Sequence, residues 1–174
     1  MILSGLEIAR KVREGKEIII RPFDEARVGP NSYDLRLNNV LQVYDIAPGG
    51  HLDMNREESV SEIIIPPEGL IIYPGKLYLG STVEYTETHG YVPMLEGRSS
   101  VGRLGVSIHV TAGFGDVGFS GNWTLEIYCL HPIRIYPFTR ICQIYYHKLE
   151  GNYIPYQGKY QFADGVQASR KYRD

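Results

Sequence analysis

The sequence predicts an all-β domain, either a sandwich or a barrel, that follows one short helix. Short runs rich in β-branched and aromatic residues recur along most of its 174 residues. The 19 glycines and 10 prolines fall mainly between these runs, where turns are needed, and the 14 tyrosines suit half-buried strand positions. We expect a single domain over residues 1–174, because this length is ordinary for one hydrophobic core.

The helix is predicted at the start of the chain, where Ser4 can act as its N-cap. Glu7 follows three residues later and completes a capping box with Ser4. The apolar residues between positions 6 and 12 have the spacing of an amphipathic helix, and Gly15 is placed to end it.

Strands are predicted at the β-rich runs that follow the helix. They are Ile18–Ile20, Tyr33–Leu37, Val40–Tyr44, Ile63–Ile65, Leu70–Tyr73, Leu77–Leu79, Thr82–Tyr85, Ser107–Val110, Trp123–Tyr128, Ile133–Tyr136 and Ile141–Tyr146. From Gly151 to Asp174 the apolar alternation stops. We expect a polar, basic tail there that is either loose or ordered by a ligand or a neighbour.

Composition argues against several classes of protein. The formal net charge of −2 argues against DNA or RNA binding, which needs a basic surface. There is no 18-residue apolar run and no signal-peptide pattern, so we expect no membrane association. Two cysteines without a C-x-x-C pair and five scattered histidines predict a cytoplasmic protein without a zinc site.

The segment Glu96–Arg103 is the first of three sequence features that predict a ligand-binding or catalytic site. Gly97 allows a sharp turn, and two serines after it can cap a short helix whose free N–H groups attract anions. Arg98 and Arg103 add guanidinium groups that suit phosphate oxygens. The alternative is a capped helix with solvated arginines.

The second segment, Thr111–Gly121, places four glycines around Asp116. This pattern predicts a tight β-turn that brings backbone close to a ligand. The alternative is a purely structural hairpin with an aspartate in its turn.

The third feature is Glu126, which lies inside an apolar strand. Period-2 alternation puts Trp123 and Leu125 on one face of this strand and Thr124 and Glu126 on the other. The carboxylate is then either on a solvated face or buried, with its pKa raised for proton transfer, and the pattern leaves both open.

Together these segments resemble the dCTP deaminase family of the trimeric dUTPase superfamily. The similarity runs nearly end to end, over Met1–Ser4, Gly29–Leu37, Glu96–Gly105, Thr111–Glu126, Arg140–Gln143, Tyr156 and Lys159. It implies a distorted jelly-roll of the dUTPase type that forms a homotrimer, with three sites between subunits. It also implies Mg²⁺ bound through the nucleotide triphosphate, with no metal ligand from the protein.

The resemblance further implies an activity and a set of site residues. Glu126 would be the proton shuttle of a zinc-free hydrolytic deamination of dCTP to dUTP and ammonia, with Ser99 and Arg103 positioning the water. Nucleotide contacts would come from Arg98, Ser99, Ser100, Val101, Gly102, Arg103, Ala112, Asp116, Thr124, Leu125, Glu126, Gln143, Tyr156, Lys159 and Gln161. Asp116 would read the deoxyribose 3′-hydroxyl. An arm formed by residues 151–174 would close over the nucleotide, and dTTP would be a feedback inhibitor.

Two departures from the family pattern keep alternatives open. Gly113–Phe114 replaces the His-Arg pair of many members that only deaminate, and is similar to members that also cleave dUTP to dUMP and diphosphate. A tail glutamine of the family is Ala163 here, with Gln161 and Gln167 as candidates to replace it. The alternatives are therefore a bifunctional deaminase and dUTPase, a plain dUTPase, and a non-catalytic nucleotide-binding module.

Overall fold

The computed structural model describes residues 1–174 and confirms an all-β domain behind a short helix. In chain order the elements are α1 (Gly5–Glu14), β1 (Ile18–Arg21), β2 (Tyr33–Tyr44), β3 (Val60–Ile64), β4 (Leu70–Ile72), β5 (Tyr78–Thr88), β6 (Tyr91–Gly97), α2 (Ser99–Gly102), β7 (Val106–Ser107), β8 (Ser120–Cys129), β9 (Ile133–Ile135) and β10 (Arg140–Lys148). Two 3-10 turns occupy Glu25–Arg27 and Lys171–Arg173. None of the helices combines the length and the apolar composition needed to cross a membrane.

Helix α1 begins and ends where the sequence predicts. The Ser4 hydroxyl accepts a hydrogen bond from the Glu7 backbone N–H at 3.3 Å, which is one half of the predicted capping box. The Glu7 carboxylate pairs with Arg10 and does not return to the Ser4 N–H, so the other half is not formed. Gly15 follows the last turn with a φ of 64°, a left-handed conformation that glycine adopts without strain. Ile8 and Ala9 are buried, so one apolar face of the helix covers the core.

Eight strands form one sheet in the order β6-β10-β2-β5-β8-β7, with β1 beside β5 and β3 beside β2. Strands β4 and β9 pair separately. The two runs Tyr33–Leu37 and Val40–Tyr44 are one continuous strand, β2, and β5 likewise joins two predicted runs. The pairing of β2 with β5, and of β5 with β8, shifts register near the junction of the runs. The polar residues there are therefore accommodated by a local irregularity of the strand and need no turn.

Strand β6 is not predicted by the sequence pattern. Its Pro93 has no backbone donor and argues against a central strand. The strand lies at the edge of the sheet, where it pairs with β10 and where Pro93 faces Tyr146. Proline is tolerated at such an edge, and β6 leads directly into the arginine segment.

Strand β8 shows the predicted alternation. Trp123, Leu125 and Ile127 belong to a core cluster of 24 buried residues, whereas Thr124 and Glu126 on the other face are only partly buried. The core therefore fixes which side chains of β8 face away from it.

Glu84 on β5 is completely buried between two arginines. Its Oε1 pairs with the Arg27 guanidinium and accepts a hydrogen bond from Arg36 Nε at 2.7 Å. Its Oε2 accepts the Arg36 backbone N–H at 2.8 Å. Every carboxylate oxygen thus has a donor, which offsets the cost of burying the charge.

Replacing Glu84 by Gln is expected to lower the free energy of unfolding by about 3 kcal/mol, because it removes the buried counter-charge of Arg27 and Arg36 and leaves Arg27 with only the exposed Asp24. Urea denaturation of both proteins at equal concentration measures the difference. Glu62→Gln makes the same change on an exposed residue of β3 and should alter stability by less than about 0.5 kcal/mol. Equal stability of the Glu84 variant would show that this ion pair makes no net contribution.

Candidate active site

A cavity of about 420 Å³ lies along strand β8, on the face that carries Thr124 and Glu126. Its volume is in the range of ligand pockets, roughly 300–1,000 Å³. Five of the predicted nucleotide contacts line it: Ala112, Asp116, Thr124, Glu126 and Tyr156. Aromatic rings supply much of the remaining wall, from Tyr44, Phe114, Phe119, Trp123 and Tyr160. Apolar rings with two carboxylates suit a ligand that combines a flat ring with hydroxyl and amine groups. We call this site the carboxylate cavity.

Backbone donors hold Glu126 in the cavity wall. Its Oε2 accepts hydrogen bonds from the N–H groups of Val110 at 2.6 Å and Thr111 at 3.2 Å. Its own N–H donates to the Ile108 carbonyl at 2.9 Å. Its other oxygen, Oε1, has no hydrogen bond within the chain. The structure therefore gives an environment between the two predicted ones: a partly buried, oriented carboxylate with one oxygen available for proton transfer.

Asp116 begins a β-turn that depends on glycine. The Asp116 carbonyl accepts the Phe119 N–H at 3.2 Å, and Gly118 has a φ of 89°. Gly115 packs so closely against Trp123 that a Cβ would lie 2.4 Å from the indole ring. The predicted tight turn is confirmed. It presents the exposed Asp116 side chain in the cavity wall, where the carboxylate can accept hydrogen bonds from ligand hydroxyls.

The C-terminal tail is ordered by strand β8 of its own chain. The Phe162 N–H donates to the Ser120 carbonyl at 2.7 Å, and the Asn122 N–H donates to the Ala163 carbonyl at 2.8 Å. A Cβ on Gly121 would lie 2.8 Å from the Ala163 nitrogen, so glycine is what permits this close approach. The sequence left open a loose tail or one ordered by a ligand or a neighbour, and pairing with β8 was not considered.

The two candidate glutamines of the tail have different environments. Gln161 accepts the Ser120 N–H at 3.0 Å and donates to the Gly118 carbonyl at 2.8 Å, so both ends of its amide are engaged. It does not line the cavity, and a nucleotide contact would require it to leave these partners. Gln167 lines the cavity together with Ala163. The Gln167 amide is also engaged at both ends, by the Asp164 carbonyl and by Arg170. Only its place in the cavity wall therefore favours Gln167 as the replacement for the missing glutamine, whereas Gln161 holds the tail.

Lys159 also lies outside the cavity wall. Its ammonium pairs with the carboxylate of Asp174, which is 3.2 Å from Lys171 Nζ as well. Hydrogen bonds from Lys159 and then Lys171 hold the pKa of the Asp174 carboxyl below its usual value. Exposed pairs of this kind contribute little stability, so a polyphosphate can replace Asp174 at small cost. The predicted Lys159 contact thus requires an exchange of partners.

The arginine segment lies elsewhere on the chain, and none of residues 98–103 lines the cavity. The N-cap of α2 is Arg98, whose side chain makes no capping bond, so the prediction that a serine caps this helix is wrong. Ser99 and Ser100 are instead exposed residues of its first turn. Arg103 Nη1 donates to the Ser99 hydroxyl at 3.4 Å, and both groups face solvent.

Asp34 connects this segment to strand β10. Its two carboxylate oxygens pair with Arg98 Nε at 3.3 Å and with Arg140 Nη1 at 3.4 Å. Gln143, also on β10, accepts a hydrogen bond from the Ser32 hydroxyl at 3.2 Å. We call the group of Arg98, Ser99, Arg103 and Arg140 the guanidinium surface. Its three arginines outnumber the single Asp34 carboxylate, and this excess of positive charge suits phosphate oxygens.

One copy of the chain therefore presents the predicted site in two separate parts. The carboxylate cavity brings together Glu126, Asp116 and Tyr156, whereas Gln143, Lys159 and the guanidinium surface lie outside it. The Leu125 side chain is completely buried, so only its backbone is available to a ligand. Val101 and Gly102 are within α2 and also lie outside the cavity wall.

Sequence reasoning missed several residues around the two parts. The Ser169 N–H donates to the Tyr44 hydroxyl at 2.9 Å, and both residues line the cavity. Tyrosines are so common in these strands that the sequence does not distinguish Tyr44 as a site residue. Asp34 could have been recognised from the sequence, because it is a charged residue between Tyr33 and Leu35 in a predicted strand. Both neighbours are completely buried in the structure. Cys142, beside Gln143, is completely buried, and burial raises the pKa of its thiol, so it is a packing residue.

Comparisons with known proteins agree on one family. A family model described as "dCTP deaminase-like" matches residues 2–149. A protein of Cytophaga hutchinsonii named "dCTP deaminase, dUMP-forming" is 61% identical over 100% of this chain and 98% of that protein. A protein of the same name from Clostridium botulinum (strain Alaska E43 / Type E3) is 59% identical over the same shares.

The fold also matches a solved structure. The 2′-deoxycytidine 5′-triphosphate deaminase of Agrobacterium tumefaciens has a TM-score of 0.65 and 23% identity, over 83% of this chain and 47% of that longer one. At this identity the similarity shows a shared fold. The predicted all-β, dUTPase-like fold is therefore confirmed, and the homotrimer stays a prediction.

Proposed function

Because this chain belongs to the dCTP deaminase-like family, we propose that it deaminates dCTP and then cleaves the triphosphate, so that dUMP and diphosphate are released. The observation that carries the proposal is the match over the whole chain to relatives whose name states that dUMP is formed. The local pattern Gly113–Phe114 supports it. Sequence reasoning ranked release of dUTP first and this bifunctional reaction second, and the relatives favour the second.

In the proposed deamination, Glu126 moves protons while water replaces the amine. The free Oε1 would take a proton from water as the water oxygen adds to C4 of cytosine. The ring nitrogen and then the amine would be protonated, the C4–N bond would break, and ammonia would leave as the C4 carbonyl forms. The two N–H groups on Oε2 would keep the carboxylate in one orientation throughout.

In the proposed second step, water attacks the α-phosphorus and diphosphate leaves. Asp116 is the second carboxylate of the cavity and would accept the proton of this water. The same side chain would first bind the deoxyribose 3′-hydroxyl. Each step therefore has its own carboxylate, and dUTP need not leave between them.

The proposal places the guanidinium surface of one copy against the carboxylate cavity of another, in a homotrimer. Ser99 and Arg103 would then orient the attacking water, and the arginines would bind the triphosphate. The chain has no group of three or more His, Cys, Asp or Glu side chains placed to hold a metal. In the proposed reaction Mg²⁺ would be held mainly by phosphate oxygens and water, where it would neutralise phosphate charge. Cytoplasmic location and inhibition by dTTP stay predictions.

Incubation with dCTP in ¹⁸O-labelled water tests the proposal. We expect ammonia, diphosphate and dUMP with two labelled oxygens, one on C4 and one on the phosphate, and no accumulation of dUTP. Accumulation of dUTP would indicate a deaminase only. Unchanged dCTP would refute the proposal, and supplying dUTP would then distinguish a plain dUTPase from a non-catalytic binding module.

A further inference from the structure

The C-terminal tail, which forms one wall of the carboxylate cavity, has no helix or strand over residues 156–169. The Gln167 N–H fastens it to strand β8 by donating to the Thr124 hydroxyl at 3.0 Å. Tyr160, which also lines the cavity, has no hydrogen bond to β8. Its own N–H donates within the tail, to the Tyr156 hydroxyl at 3.2 Å. Another contact must therefore fix Tyr160 in the wall.

Arg170 supplies that contact. Its guanidinium Cζ lies 5.7 Å from the centroid of the Tyr160 ring, and its backbone N–H donates to the Tyr160 hydroxyl at 2.8 Å. The half-buried guanidinium also donates to Gln167 Oε1 and to the carbonyl of Lys159, which is 11 positions earlier in the chain. We call these contacts of Arg170 with Lys159, Tyr160 and Gln167 the Arg170 bridge. It closes the irregular tail into a loop.

The geometry of the Arg170 bridge depends on a guanidinium group. Two N–H groups of one planar fork donate to two acceptors, the Lys159 carbonyl and the Gln167 amide oxygen. The carbon of the same group stays within the distance of a cation–π contact to the Tyr160 ring. A lysine ammonium is a compact charge without this fixed fork, so it cannot make all of these contacts at once.

The Arg170 bridge also orients Gln167, the glutamine in the cavity wall. While Oε1 of this amide accepts from Arg170, Nε2 donates to the Asp164 carbonyl at 2.9 Å. Both ends of the amide are therefore engaged within the tail itself. A wall that is fixed by its own contacts loses less conformational entropy when a nucleotide binds than a mobile one does.

We propose that Arg170 is a positioning residue that holds Tyr160 and Gln167 in the wall of the carboxylate cavity and thereby sets the affinity for the nucleotide. The inference rests on the proposed function. The two carboxylates that would move protons, Glu126 and Asp116, belong to β8 and to the turn before it, not to the tail. Loss of the bridge should therefore raise KM for both dCTP and dUTP and leave kcat nearly unchanged.

The kinetic test compares Arg170→Ala and Arg170→Lys with wild type, by release of ammonia from dCTP and of diphosphate from dUTP. We expect Arg170→Ala to raise both KM values by about 10-fold or more, the effect of losing hydrogen bonds from a charged group, with kcat within about 3-fold. Arg170→Lys should resemble Arg170→Ala more than wild type. A wild-type KM in either variant would overturn the proposal.

Limited proteolysis with chymotrypsin, without nucleotide, gives a readout that is independent of activity. Cleavage after Tyr160 and Phe162 should be at least about 10-fold faster in Arg170→Ala, because cleavage follows the population of the opened tail. Cleavage after Tyr145 and Tyr146 on β10, a strand that does not pair with the tail, should stay as in wild type. Unchanged cleavage of the tail, or equally faster cleavage of β10, would overturn a positioning role.

Arg173→Ala is the matched control. Arg173 also stacks on a tyrosine, with its Cζ 5.4 Å from the centroid of the Tyr172 ring, but it is exposed and its side chain bonds only to that neighbour. The variant should keep KM, kcat and tail cleavage within about 2-fold of wild type. A rise in KM equal to that of Arg170→Ala would show that loss of any positive charge at this end suffices, and would overturn the proposal.

Failure of the proposed function has a different outcome. Inactivity of the wild-type chain on both dCTP and dUTP would refute that function. The proteolysis of Arg170→Ala, which needs no nucleotide, would still show whether the Arg170 bridge holds the tail.

Discussion

Replacing Glu126 by Gln is expected to slow ammonia release from dCTP by at least about 100-fold, the lower end of general acid–base catalysis. The amide oxygen of Gln can still accept the N–H groups of Val110 and Thr111, so the side chain keeps its place in the cavity wall. What is lost is the ability of the free oxygen to take and return a proton. Cleavage of supplied dUTP should continue, because that step uses Asp116.

Steady-state assays of ammonia and of diphosphate measure the two reactions separately. The affinity for dCTP, measured by calorimetry, should change by less than about 10-fold, since the substitution removes proton transfer and preserves shape. Glu62→Gln on the exposed face of β3 is the control and should have wild-type rates. A Glu126 variant that releases ammonia at a near-normal rate would remove this carboxylate from the mechanism.

Replacing Arg103 by Ala is expected to reduce both binding and chemistry. Loss of a hydrogen bond to a charged group costs about 1.5–3 kcal/mol, which raises KM for dCTP by roughly 10–150-fold. The loss of an oriented water should lower kcat by at least about 10-fold more. Arg103→Lys should recover little, because an ammonium lacks the planar fork that binds two oxygens at once. Arg56→Ala removes a highly exposed arginine and should have no effect.

The same variant tests whether two copies build one site. Glu126→Gln and Arg103→Ala chains, each nearly inactive alone, are unfolded together and refolded as mixed trimers. If the guanidinium surface of one copy completes the cavity of another, about a quarter of the sites combine two intact halves, and activity returns to that extent. If both parts act within one chain, no site is intact and the mixture stays inactive.

The sequence predicts strand β8 and the orientation of its residues well, because alternation is a local property. Leu125 and Ile127 are buried, and Thr124 and Glu126 face the cavity, as the period of two requires. The groups that surround Glu126, by contrast, come from distant positions in the sequence, and no local pattern predicts them. The amides that bind its carboxylate are 16 and 15 positions away, in a loop whose glycines read as ordinary turn residues.

The arginine segment and the tail show a second limit of sequence reasoning. The resemblance implies that Arg98 to Arg103 act with Glu126 at sites between subunits. In one chain they lie outside its cavity, and their joint action stays a prediction. Gln161 was predicted to bind the nucleotide, yet its amide is used by the backbone of residues 118 and 120. Side-chain type indicates which bonds are possible, and only the packed backbone decides which of them form.

The attachment of the tail to β8 also bears on the rate of ligand exchange. One wall of the carboxylate cavity comes from this tail, through Tyr156, Tyr160, Ala163, Gln167 and Ser169. In the proposed reaction, passage of a nucleotide on that side would need local unfolding of residues 156–169, and we expect the frequency of that event to limit how fast product escapes. Because the Phe162 amide is bonded only while the segment is folded onto Ser120, its hydrogen–deuterium exchange reports the opening frequency directly.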